Sequence, residues 1–338
     1  MAQIIEQEPL APHTTFHLGG PARYFVRIAS IEELGEALAF AKEKDVPVFY
    51  LGGGSNLLVD DEGFDGLVIK IEIKGVEQTE NGFIAGAGEE WDQLVTQCVE
   101  RGLWGIENLS GIPGTLGGAC VQNIGAYGAV LSDTLSFIEA FDTNTETVIK
   151  IEKQTYRSGY RDSIFKHEPE RYVVLRAALE LSRDPKPNIS YKDLAAAFIG
   201  KAPSLAELRE AVLAIRAGKF PDIHIVGTAG SFFKNPVVSA EEAKLLAEKY
   251  PGMPLFPLPE SNGMKVPLGW LLDWRHGVID MRDVRLGGAR MYEKQFLVLV
   301  AERGSVSRDV IELAQIVKKK IKDACNIDIE PEVKILAR

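Results

Sequence analysis

Cysteine is scarce in this chain, and its spacing excludes more than its number. Cys98, Cys120 and Cys325 are the three cysteines in 338 residues, and no two of them form a CxxC pair. That spacing argues against a metal cluster and against a disulfide scaffold, and it fits a reducing compartment. Basic residues are also in deficit: 38 Lys and Arg against 48 Asp and Glu give a formal net charge of −10. A general affinity for nucleic acid or an anionic membrane, both of which need a basic face, is therefore not expected. No window of about 18 apolar residues occurs, and the N-terminal MAQIIEQEPL carries glutamates where a signal peptide needs basic and then apolar residues. The expectation is a soluble protein that is not exported by a cleaved signal. Low-complexity tracts and internal repeats are missing as well, while 46% hydrophobic and 25% charged residues fit ordinary globular domains. The chain is longer than one core usually serves, so two or three domains are expected.

What is abundant is glycine, and it is concentrated. Residues 111–128 read GIPGTLGGACVQNIGAYG, with six glycines and almost no charge. Glycine costs roughly 0.5–1 kcal/mol against alanine inside a helix or strand, so this density points to a backbone that is itself in use. Consecutive amides in stacked turns form a concave nest that binds a phosphate without a cationic side chain. A flavin or nucleotide pyrophosphate fits, and a glycine-rich surface loop or a set of bulges is the alternative. A second stretch, Leu51-Gly-Gly-Gly-Ser-Asn-Leu-Leu58, follows the apolar run Val48–Leu51 and reads as a strand entering an amide-rich turn. The dinucleotide fingerprint GxGxxG is absent there, and Gly86-Ala-Gly88 lacks the third glycine.

Periodicity sets the frame around these loops. Ser30 and Glu33 form a capping box ahead of a helix over about 31–44, flanked by strand-like Tyr24–Ile28 and Val46–Leu51, so the first sixty or so residues read as a βαβ unit. A helix from Trp91 to about Arg101 follows. Strand-like runs recur at Leu67–Ile71, Phe83–Ala85, Phe137–Phe141, Thr147–Ile151 and Val173–Leu181. Asp184-Pro-Lys-Pro-Asn188 is the best linker candidate. Helices are predicted over 205–219, 239–250 and 307–324, a strand at Leu297–Ala301, and a strand-like tail at Ile327–Leu336.

Three side chains stand out chemically. Arg161 sits among turn-forming and aromatic residues in Gly159-Tyr-Arg-Asp-Ser163, where a planar guanidinium can face a carboxylate or simply pair with Asp162 in the loop. Ser231, in Gly227-Thr-Ala-Gly-Ser-Phe-Phe233, is either an exposed, held hydroxyl or a cap. It lies in no GxSxG elbow. Glu332, in Ile-Glu-Pro-Glu-Val333, is an acid or a solvated edge-strand carboxylate.

Taken in order, Thr15-Phe-His-Leu-Gly-Gly-Pro-Ala22, Gly52-Gly-Gly-Ser-Asn56, the 111–128 stretch, Tyr160-Arg-Asp-Ser163, Gly230-Ser-Phe-Phe-Lys-Asn-Pro236, Gly269-Trp-Leu-Leu272 and Glu330-Pro-Glu-Val333 resemble the bacterial UDP-N-acetylenolpyruvoylglucosamine reductases nearly end to end. The resemblance implies an α+β fold, with an FAD-binding domain of the vanillyl-alcohol-oxidase (PCMH) type and a C-terminal α+β substrate-binding domain. The expected division is 1–65 and 66–200 for two FAD subdomains, 201–324 for the substrate domain, and 325–338 for a tail strand returning to the active site. FAD would be held non-covalently by Gly52, Gly53, Gly54, Ser55, Asn56, Leu57, Ile112, Pro113, Gly114, Thr115, Gly117, Gly118, Asn123, Gly125, Ala126 and Tyr127.

The same resemblance assigns Arg161, Ser231 and Glu332 to catalysis, with Tyr191, Lys219, Asn235 and Lys265 on the substrate, and no metal. It implies a ping-pong reaction in which NADPH gives hydride to the flavin. The flavin then passes hydride to C3 of UDP-N-acetylglucosamine enolpyruvate while Ser231 protonates C2. A cytoplasmic monomer serving peptidoglycan synthesis is the implied setting. Tyr292 and Ala301 stand where many members have histidine and asparagine, and Ile223 stands where a second proline is common. Another FAD oxidoreductase of the same fold, or a flavin- or nucleotide-binding protein without turnover, are the competing readings. The Ser231 and Glu332 motifs speak against the first, and the joint presence of Arg161, Ser231 and Glu332 against the second.

Overall fold

The computed structural model describes residues 3–156, 159, 161–258 and 263–338. Tyr160, part of one of the motifs above, lies outside them. The chain divides into two compact units. The first comprises the N-terminal stretch through Glu8 with Ala22–Gly54 and Asp65–Gly218, and the second comprises Pro9–Pro21, Ser55–Phe64 and Lys219–Arg338.

Two sheets build the first unit. One has the order Ile5–Pro9, Pro21–Ile28, Phe64–Ile71, Val48–Leu51, with the last two strands parallel. The helix Ile31–Lys44 crosses between strands of this sheet, and Ser30 caps it by accepting from the Glu33 amide. The predicted βαβ unit is therefore split: Phe64–Ile71 is inserted between its two strands. Local periodicity cannot foresee an insertion by a later strand. The second sheet runs Thr147–Glu152, Leu135–Asp142, Tyr172–Glu180, Gly82–Gly86, Val76–Thr79, antiparallel throughout. Val26, Leu34, Leu67, Ile69, Phe83, Trp91, Leu94 and Ile138 lie in the core of this unit at 0–2% exposure. At that burial each large side chain contributes roughly 1.5–3 kcal/mol.

Inside the glycine stretch the chain forms a short helix, Leu116–Gln122, which the glycine density did not suggest. Gly117 is admitted there for a steric reason, since a Cβ on it would stand 2.9 Å from the Ala87 Cβ. The helix Leu205–Lys219 is formed as predicted, but residues up to Gly218 belong to the first unit, so the Pro-rich segment 184–188 does not separate the two units. Arg209 explains why: its guanidinium grips Asp92 with both nitrogens, at 2.8 and 2.9 Å, and Nη2 also donates to Thr96 at 2.8 Å.

In the second unit, the helices Ala240–Lys249 and Ser307–Cys325 accompany small antiparallel sheets, Val237–Val238 with Gly263–Lys265 and Phe256–Leu258, and Arg285–Leu286 with Ala289–Met291 and Leu299–Ala301. The amphipathic helix Ser307–Cys325 buries Val310, Leu313, Val317 and Ile321 completely, a spacing of three and four residues that makes one apolar stripe. Of the predicted tail strand, Lys334–Leu336 forms a ladder, and it runs parallel to Leu57–Val59. No helix among the described residues is long and apolar enough to cross a membrane.

Candidate active site

The glycine loops meet in the first unit. A Cβ on Gly53 would stand 2.6 Å from the Gly114 Cα, and one on Gly52 would stand 2.8 Å from the Thr115 Oγ1. Two backbones this close admit no side chain between them. The second loop is held from behind, where the Trp91 amide donates to the Gly114 carbonyl at 3.0 Å, the Leu116 amide to Glu89 and the Gly117 amide to Ala87, both at 2.8 Å. Among the described residues the amides of Gly53, Gly54 and Gly114 have no protein acceptor. Close-packed glycines with uncommitted N–H groups suit a diphosphate, so the residues present fit FAD.

Arg161 is joined to the far end of the same stretch. The short helix Leu116–Gln122 ends on Asn123, which takes a left-handed φ of 43° and whose Nδ2 donates to the Gly159 carbonyl at 3.2 Å. Ser163 Oγ donates to the Val121 carbonyl at 2.6 Å, and the Tyr156 hydroxyl donates to that of Cys120. Between these ties Arg161 itself holds φ at +55°, an uncommon conformation for a residue with a side chain. Its Nη1 lies 3.2 Å from where a Cβ on Gly125 would stand, so the guanidinium lies beside Gly125. The Asp162 carboxylate faces His167 Nε2 at 2.9 Å and accepts from the Ser163 amide. Tyr191 meets Tyr127 edge to face, with ring centroids 5.1 Å apart. Ile112–Gly118, Asn123, Gly125–Tyr127, Arg161 and Tyr191 thus share one unit with Gly52–Gly54.

Two residues missed in the sequence support this arrangement. Asn108 is 1% exposed and its amide nitrogen donates to the carbonyls of Tyr127 and Asn188, at 2.7 and 2.8 Å. Arg216 Nε donates to the Gly111 carbonyl at 3.1 Å, and burial lowers its pKa against the pull of Tyr127 and Asp92. Asn108 stands three residues before the glycine stretch and could have been suspected. Arg216, on a helix a hundred residues away, carried no signal.

In the second unit, Ser231 and Glu332 occupy neighbouring strands of chain. The Phe232 amide donates to the Leu297 carbonyl at 2.8 Å, and the Phe232 carbonyl accepts from the Glu332 amide at 2.8 Å. A bridge joins Phe233 to Pro331, another joins Ser231 to Val298, and the Lys234 amide donates to the Glu330 carbonyl at 3.1 Å. Phe232 and Phe233 are buried beneath, which leaves half-buried Ser231 and Glu332 on either side of one backbone bond. Ser231 starts no helix: the next one, Ala240–Lys249, is capped by Ser239. Ser231 is therefore not the N-cap of a helix. Asn235 Oδ1 accepts from the Leu268 amide at 3.0 Å, and Lys265 lies over the Phe256 ring at 5.4 Å. Lys219 ends its helix, half-buried. Ser55, Asn56 and Leu57 also belong here, on the segment that pairs with the tail.

This geometry can be set beside known proteins. A profile of an FAD binding domain matches residues 22–152, and one of the UDP-N-acetylenolpyruvoylglucosamine reductase C-terminal domain matches residues 222–336. The UDP-N-acetylenolpyruvoylglucosamine reductase of Neisseria gonorrhoeae is 38% identical over 342 aligned positions, covering 98% of this chain and 97% of its own. The chain belongs to the UDP-N-acetylenolpyruvoylglucosamine reductase family. The Pseudomonas aeruginosa reductase is 36% identical, with 98% of each chain covered. Among solved structures, that of the Thermus caldophilus reductase superposes with a TM-score of 0.69 at 25% identity, covering 99% of this chain and 98% of that one.

Family membership and the FAD domain make the chain an FAD-dependent oxidoreductase of α+β fold. Two of the positions expected to depart from the family pattern have structural surroundings. Tyr292 packs with Val298 and Val300 in a small buried cluster, and the Ala301 and Gly227 amides and carbonyls exchange hydrogen bonds of 2.8 and 3.0 Å.

Proposed function

We propose that this chain reduces UDP-N-acetylenolpyruvoylglucosamine to UDP-N-acetylmuramate with NADPH as electron donor, as a cytoplasmic step of peptidoglycan synthesis. FAD, held non-covalently, supplies the two-electron carrier that takes hydride in one half-reaction and releases it in the other. The chain's own residues divide the remaining work. Gly52–Gly54 and Ile112–Gly118, with Asn123 and Gly125–Tyr127, bind the cofactor. Ser231 Oγ gives the proton to C2 as C3 receives hydride, so the enolpyruvyl group becomes a lactyl ether. Arg161 stabilises the negative charge that builds on the substrate carboxylate, and Glu332, sharing a proton with that group, stabilises its enol form, the electrostatic task that positioned polar groups perform best in a shielded site. Tyr191, Lys219, Asn235 and Lys265 hold the sugar nucleotide. In this reading, the first unit, through Gly218, serves the flavin, the second unit serves the substrate, and the tail 325–338 delivers Glu332 as part of a monomer.

The observation that carries the reading is the hydrogen bond between the Phe232 carbonyl and the Glu332 amide. It supports the reading because it ties the main chain next to Ser231 to that of Glu332, a hundred residues on, an economy that simple flavin binding does not require. The test is anaerobic stopped-flow absorbance. NADPH should bleach the flavin, and UDP-N-acetylenolpyruvoylglucosamine alone should restore the oxidised spectrum with formation of UDP-N-acetylmuramate. Bleaching without reoxidation by that substrate would sink the assignment.

A further inference from the structure

The turn Gly52–Asn56 reads in sequence as a single cofactor loop, yet the side chain of Asn56 is committed elsewhere. Its Nδ2 donates to the main-chain carbonyl of Glu332 at 3.1 Å, across 276 residues of sequence. Its own carbonyl accepts from the Lys334 amide at 3.1 Å. Beyond it, Leu57, Leu58 and Val59 pair in parallel with Lys334, Ile335 and Leu336, and the Asp60 amide closes the ladder on the Leu336 carbonyl at 2.8 Å. The segment bearing Asn56 is itself anchored. The Asp61 carboxylate accepts from the Ser307 and Arg308 amides at 2.7 and 2.9 Å, and Ser307 Oγ donates to the Val59 carbonyl at 2.5 Å, so residues 57–61 are fastened to the start of the helix Ser307–Cys325.

Glu332 is therefore held from two sides. Its N–H is fixed by the Phe232 carbonyl, from the chain that carries Ser231, and its C=O is fixed by the Asn56 amide. The Val333 N–H on the far side of that carbonyl reaches the Phe232 carbonyl only at 3.5 Å, so the Asn56 bond is the short tie on this peptide plane. With both, the peptide planes flanking Glu332 are set.

We infer that Asn56 is a positioning residue for Glu332, so that the turn expected to bind cofactor also aims the acid of the second half-reaction. The inference rests on the role proposed above for Glu332. An amide suits the task because it presents an N–H donor on a short, stiff side chain. Aspartate at this position has the same shape but turns an acceptor oxygen toward the Glu332 carbonyl.

The experiment compares Asn56→Ala, Asn56→Asp and Glu332→Gln with the parent holoenzyme. It measures flavin bleaching by NADPH, reoxidation by UDP-N-acetylenolpyruvoylglucosamine, FAD affinity by fluorescence titration, and amide hydrogen exchange over residues 330–336. Asn56→Ala should slow reoxidation by roughly 3–10-fold, the worth of one hydrogen bond. Bleaching and FAD affinity should stay within about threefold, since a difference that small lies below the loss of one hydrogen bond. Exchange at Glu332 should quicken. Asn56→Asp, which keeps the packing, should be slower still in reoxidation.

A general loosening of the fold would instead slow both half-reactions alike. Parent-like reoxidation and exchange in both Asn56 variants, with Glu332→Gln impaired, would overturn the inference and leave the role of Glu332 standing. Loss of FAD affinity with parent-like exchange would overturn it too, making Asn56 a cofactor residue alone. Parent-like reoxidation in Glu332→Gln would instead remove Glu332 from the mechanism, and exchange at 330–336 would then decide by itself whether Asn56 holds the strand.

Discussion

The two units hold their candidate residues by different means. In the first, the wall of Gly53 against Gly114 is a steric fit between two short motifs, each complete in a few consecutive residues. In the second, Ser231 and Glu332 are set by hydrogen bonds among segments far apart in sequence: Thr15 with Thr228, Phe232 with Leu297 and Glu332, Asn56 with Glu332. A steric wall tolerates no added atom, whereas a stitched pair tolerates changes of size but not of donor and acceptor. Damage to the first should appear as lost cofactor and stability, and damage to the second as lost chemistry.

The largest expected effect tests the stitched side. Ser231→Ala should cut reoxidation by UDP-N-acetylenolpyruvoylglucosamine by ~10²–10⁴-fold, or roughly 3–5.5 kcal/mol of barrier, with bleaching by NADPH and the thermal midpoint kept. Reoxidation within about threefold, a loss far below that of a general acid, would dissolve the contrast between the units.

Arg161→Lys sharpens it, because the proposed reading gives this residue of the sterically built unit a part in the chemistry. The charge stays and the planar fork goes, so steady-state turnover should fall ~10²-fold, the scale of one lost oxyanion donor, at an unchanged melting midpoint. Full activity in the lysine enzyme would return Arg161 to a loop role.

Gly53→Ala attacks the wall. With backbone 2.6 Å from the new Cβ the loops must part, at a cost of about 1–3 kcal/mol, and the flavin retained after gel filtration should drop. An alanine protein as yellow and as stable as the parent would refute the wall.

The smallest effect concerns the tether behind that wall. The Asp92 carboxyl accepts from the Gly111 amide at 2.5 Å and from Arg209. Burial works to raise its pKa, but the Arg209 hydrogen bonds, the Gly111 amide and the charges of Arg209 and Arg216 outweigh it and hold the group below the ordinary 3.8. A carboxyl whose pKa is lower folded than unfolded contributes stability above the unfolded value and loses it as pH falls through the folded one. The gap in melting temperature between the parent and Asp92→Asn should therefore be widest near neutral pH and narrow below about pH 4. A gap independent of pH would mean that the ion pair contributes nothing.

Sequence alone determined the elements with local causes. Ser30 and Ser239 carry capping chemistry in their own first turns, the stripe Val310, Leu313, Val317 and Ile321 dictates its helix, and the glycines of 52–54 and 111–128 announce a backbone in use. The motifs in order were enough for the family. Tertiary structure decided what depends on partners distant in the chain: the strand Phe64–Ile71 entering between the two strands of the βαβ unit, the helix Leu205–Lys219 joining the first unit through Asp92, and the turn 52–56 dividing so that Asn56 serves Glu332. The physical reason is the same in each case. A cap or an apolar stripe is satisfied within a few residues of itself, but a hydrogen bond spanning 276 residues is specified only once both ends have been brought together by the cores that fold around them.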